Sequence, residues 1–84
     1  MINEPINHFS DLDLSDIELP IIVVYEKPLD FPQHFVARLF DTDKPTNCYT
    51  LADTIEDIRK TIPPYYTKIM PNEHDDPNIK EIYV

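Results

Sequence analysis

The sequence predicts an α+β fold: a mainly antiparallel β-sheet in the order β-β-β-α-β-β, covered by one α-helix. Three observations carry that expectation. Short runs rich in β-branched and aromatic residues recur along the chain, a single segment repeats isoleucine at helical spacing, and the 84 residues hold nine prolines and no glycine. A chain of this length builds one modest core and no second one. Hydrophobic residues at 42% and charged residues at 27% place it among folded, water-exposed proteins rather than disordered ones.

Residues 1–19 read as an acidic N-terminal arm, loosely ordered, and residues 20–84 as the single α+β domain. Glu4, Asp11, Asp13, Asp16 and Glu18 carry the arm's charge without a lysine or arginine among them. Phe9, Leu12, Leu14, Ile17 and Leu19 are spaced too irregularly for a clean helix or strand, and such termini order only when something ties them down.

After Pro20 the pattern sharpens. "IIVVYE" is apolar on both faces, the signature of an inner strand, and "HFVARLF" alternates. The intervening "KPLDFPQ" is a loop of ordinary length that suits an antiparallel pair. "DTDKP" turns the chain into a third strand, "TNCYTL". Without glycine, turns fall to Pro, Asn and Asp, so proline-stiffened, open loops are expected and no tight glycine hairpins. In "ADTIEDIRKTIPP", Asp53 is placed to cap a helix, with Glu56 three residues on completing a capping box. Ile55, Ile58 and Ile62 give one apolar stripe, and Pro63-Pro64 ends the helix. Glu56, Asp57, Arg59 and Lys60 form its solvated face. "YYTKIM" and "IKEIYV" then read as the last two strands, with "PNEHDDPN" as the turn between them.

Several functional classes are disfavoured by composition. Phosphate-cradling loops need glycines where backbone N–H groups approach the phosphate, which removes Walker-type and dinucleotide sites. A net charge of −9 argues against direct nucleic-acid binding, which requires a basic face. The longest apolar run, Ile21 to Tyr25, is far below the ~18 residues of a membrane span. One cysteine, Cys48, cannot form an internal disulfide and suits a reducing compartment, so a cytoplasmic location is expected. It reads as a small half-buried strand residue rather than a nucleophile.

Two clusters raise the question of metal. Asp41 and Asp43 alternate, but no glycine turn or distal Glu follows at calcium-loop spacing. Glu73, His74, Asp75 and Asp76 are consecutive, and neighbours in a turning chain diverge, whereas a tight site needs three or more converging ligands. His8 and His34 stand apart. No residue is therefore assigned a catalytic, cofactor-binding or metal-ligating role. The expected partner is another protein, with neither nucleic acid nor membrane bound directly, and Tyr65, Tyr66 and Tyr83 are the aromatics in excess of the core. Two other readings stand beside the interaction module: an acidic decoy that mimics nucleic acid, and a small divalent-metal hydrolase using the acids at 73–76.

The runs "YEKPLDFPQHFVARLFD", "KPT", "ADTIEDIRKTIP" and "DDPNIKEIYV" resemble small proteins of Gram-positive genomes and prophages to which no activity is assigned. The resemblance spans Tyr25 to the end and implies a compact cytosolic domain. More loosely, strands followed by "DTIEDIRKTI" are similar to the sheet-then-helix half of HicB-like antitoxin domains, whose helix opens with a comparable Asp-Thr cap and acidic pair.

Overall fold

The fold is described from a computed structural model, which describes residues 5–15, 17–72 and 77–84. Five strands and one short helix follow in the expected order: β1 (Pro20–Glu26), β2 (Phe35–Asp41), β3 (Lys44–Ala52), α1 (Ile55–Arg59), β4 (Lys68–Ile69) and β5 (Ile79–Tyr83). They form a single antiparallel sheet ordered β3-β2-β1-β5-β4, which puts the doubly apolar β1 at its centre.

Register decides which face each residue serves, because residues paired across an antiparallel ladder share a face. Ile22 pairs with Leu39 and Tyr83, and Val24 with Ala37 and Glu81. This face is the core, where Ile22, Val24, Ala37 and Leu39 pack with Ile58 and Ile62. The stripe of Ile55, Ile58 and Ile62 thus meets the sheet, Ile58 being fully buried.

The opposite face holds Val23, Val36 and Tyr49, also buried. The β1–β2 loop covers it. Phe31 lies 5.4 Å from the Tyr49 ring, and the Arg38 guanidinium stands over both rings at 6.0 and 5.8 Å while ion-pairing with Asp30. A strand apolar on both sides is explained by cover on both sides.

Three expectations are corrected. The helix is capped by Thr54, whose side chain accepts from the Asp57 N–H, one residue later than Asp53. Asp53 instead meets His34. The β2–β3 connection is a tight hairpin: Asp41 pairs with Lys44, leaving Thr42 and Asp43 as the turn, with Thr42 at φ 57°. That left-handed φ is normally glycine's, and here the Thr42 N–H donates to the Leu19 carbonyl at 2.8 Å. "YYTKIM" is strand only at Lys68–Ile69, since Tyr66 is turned back by its N–H bond to the Pro63 carbonyl.

The described residues before β1 lie against the sheet and helix. A one-turn 3-10 segment, Phe9–Asp11, buries Phe9 in the core to 2% exposure, and Ile6, Leu12, Leu14 and Ile17 pack around it. The Ile6 N–H donates to the Tyr49 carbonyl and the Phe9 N–H to the Thr61 carbonyl. Irregular apolar spacing is what a chain needs when it crosses the open side of a sheet by turns rather than by a periodic element.

Candidate functional site

At one end of the sheet, where β1 begins and β5 finishes, a groove of about 310 Å³ is lined by Leu14, Leu19, Pro20, Tyr65, Tyr66 and Val84. Four stretches of chain build its two sides. On one side, the Ile17 N–H closes a turn on the Leu14 carbonyl. Leu19 is held by two bonds to the β2–β3 hairpin: its N–H donates to Asp41 Oδ1 at 3.3 Å and its carbonyl accepts from Thr42. On the other side, the Thr67 and Val84 backbones exchange N–H···O bonds at 2.8 and 3.0 Å, which fixes the residues on either side of the β4–β5 ladder.

The groove walls are apolar and open. Leu19 is 50% exposed, Tyr65 73% and Val84 43%. The Tyr65 and Tyr66 rings stand 5.2 Å apart and tilted, so they present one aromatic ledge. Tyr66 also packs against the core, and burial raises its phenol pKa above the ordinary value. Its inner part is anchored while Tyr65 reaches into solvent, the arrangement of a pre-ordered aromatic contact surface.

Beside the groove lies a buried polar cluster that the sequence pattern hid. Glu81, at 3% exposure, faces the core. Arg59 donates to it through Nε at 3.1 and 3.2 Å and Nη2 at 2.5 Å, Tyr83 donates its O–H at 2.8 Å, and Lys68 Nζ stands 3.7 Å away. Arg59, expected on the solvated face of the helix, thus reaches across to β5. These bonds, led by Arg59, hold the Glu81 carboxyl below the usual carboxylate range, and they raise the Arg59 pKa in turn. Burial first, and then the Glu81 carboxylate, push the Tyr83 phenol up to about 12. The cluster ties helix to sheet, and every buried side-chain polar atom among the described residues has a partner.

The three tyrosines expected to be in excess therefore part company. Tyr65 and Tyr66 share the groove, whereas Tyr83 packs against the core and bonds Glu81. His34 is not apart: Nδ1 lies 3.2 Å from Asp53 Oδ1, beside an open depression that Asp57 and Thr61 also line. His8 caps the 3-10 turn by accepting from the Ser10 N–H. Cys48 is half-buried in β3. Glu73, His74, Asp75 and Asp76 lie outside the described residues. Among the described residues no three His, Cys, Asp or Glu side chains gather as metal ligands, and no helix is long and apolar enough to cross a membrane.

No protein-family model matches the chain. No curated protein and no solved structure matches it either.

Proposed function

We propose that the protein is a non-enzymatic, cytoplasmic interaction module that receives a segment of another protein in the groove between Leu19 and Tyr65. The carrying observation is the groove itself: six apolar or aromatic residues from four separate stretches of chain, held by backbone hydrogen bonds and left open to solvent. Contact surfaces of this kind concentrate binding energy in a few pre-ordered aromatic and aliphatic side chains. A second copy of the chain is a poor occupant, since each copy brings a net charge of −9.

Site-specific photo-cross-linking tests the reading. A photoreactive phenylalanine placed at Tyr65 in the native host should give an adduct with a discrete protein, lost when Leu19→Ser is added. The same probe at Gln33, exposed on the β1–β2 loop, should not give that adduct. Identical adducts from both positions, or adducts indifferent to Leu19→Ser, contradict a docking groove.

A further inference from the structure

The groove has a charged neighbour, and together they specify the chemistry of its occupant. We infer that the segment received there carries an aliphatic or aromatic anchor with lysine or arginine side chains close by, an inference that rests on the docking reading above. Adjoining the groove at the same end of the sheet is a second depression, also of about 310 Å³, lined by Glu18, Asp41, Thr42, Asp43 and Lys44. Leu19, a wall of the apolar groove, links the two. It follows Glu18 directly in the chain, and its N–H is bonded to Asp41.

Register fixes the layout. Asp41 pairs with Lys44 and Pro20, and Tyr83, beside Val84, pairs with Ile22 and Lys68. The end of the sheet therefore runs in the order Lys44, Asp41, Pro20, Val84, Thr67. Asp41 stands two strands from Val84, which at the usual strand spacing is about 10 Å. A segment whose apolar side chain enters between Leu19 and Tyr65 brings a residue about three places away, if extended, over the carboxylates.

The sign of that rim decides which segment fits. Glu18, Asp41 and Asp43 face one ammonium, Lys44, and among the described residues none of the three forms an ion pair. Asp13 adds a fourth carboxylate next to Leu14, its pKa lowered by the Ser15 N–H and hydroxyl. An acidic or neutral segment gains nothing here and meets the field of the whole chain. A basic one is steered toward the end that holds the apolar anchor site. Anchor and rim thus divide the work: the groove supplies affinity, and the acids supply orientation and discrimination.

The test is a selection of random peptides displayed on phage against the folded protein, counter-selected on a Leu19→Ser/Tyr65→Ser double variant. Both side chains are exposed, so the variant should keep the circular dichroism and urea midpoint of the parent. Peptides enriched on the parent should combine an aliphatic or aromatic residue with Lys or Arg two to four positions away. Their binding should fall at least several-fold in Glu18→Gln/Asp43→Asn and in raised salt. Enrichment of apolar peptides without Lys or Arg, unaffected by the Glu18 and Asp43 changes, overturns the basic-partner inference while leaving the docking groove standing. Enrichment of the same peptides on parent and double variant overturns both.

Discussion

Arg59, on α1, grips the carboxylate of Glu81, 22 positions later in β5, through both Nε and Nη2, and Glu81 is 3% exposed. A buried carboxylate is tolerable only while its partners are present, and removing one partner leaves a charge with no solvent. Arg59→Met should therefore lower the urea midpoint clearly, and Glu81→Met added to it should recover part of the loss. A double-mutant cycle measures that coupling. Losses that merely add would mean the two side chains act independently.

The same cluster sets the pH dependence. The Glu81 carboxyl is held below its ordinary value, so its contribution is complete above the unfolded pKa and is lost as pH falls through the folded one. Tyr83 runs the other way: its phenol is raised to about 12, so its contribution is complete below the unfolded value and lost as pH rises through the folded one. Stability measured by urea unfolding across pH should show both flanks. In Glu81→Gln the contribution of this carboxyl to the acid flank should vanish, and Tyr83 should ionise at lower pH when followed by tyrosinate absorbance.

The core gives two graded expectations. Ile58→Ala should cost about 2–4 kcal/mol and Phe9→Ala about 3–5 kcal/mol, because both side chains are fully enclosed, whereas the exposed Asp57→Ala should change little. The Phe9 result also separates the two views of residues 1–19. A negligible loss would return the segment to the status of a loose arm, and a large one would make it structural.

Sheet order aside, most of the architecture was legible because it depends on local periodicity: the apolar faces of β1, the alternation in β2 and the isoleucine stripe of α1 each report a buried surface. What escaped depends on contacts distant in sequence. Glu81 in "IKEIYV" looks solvent-facing until Arg59 is brought over it, and Phe9 looks stray until the sheet is seen to need cover on that side. The groove was half legible. Tyr65 and Tyr66 stood out as aromatics without a core, but nothing local could show that Leu14, Leu19 and Val84 would gather beside them. One signal for Glu81 was available: a lone acid alternating with Ile79 and Tyr83 on one face of the strand, with an arginine on α1.

The β2–β3 turn offers a test of local strain. Thr42 holds φ at 57°, unfavourable for a β-branched residue. Thr42→Gly should stabilise the domain by up to roughly 1 kcal/mol, the strain relieved exceeding the extra chain entropy of glycine. Thermal unfolding of the variant decides it, and a lower midpoint would mean that the turn holds Thr42 without strain.

Amide chemical-shift mapping tests the docking groove most directly. The ¹⁵N-labelled protein is titrated with an acetylated eight-residue peptide bearing a leucine and phenylalanine anchor between two pairs of lysines. The largest changes are expected at Leu14, Leu19, Tyr65, Tyr66 and Val84, with smaller ones in the Thr42–Asp43 turn, and they should disappear in the Leu19→Ser/Tyr65→Ser variant. Changes centred on the exposed Leu29 loop, or spread evenly over the acidic surface and retained in the variant, would contradict the assignment of this groove as the binding site.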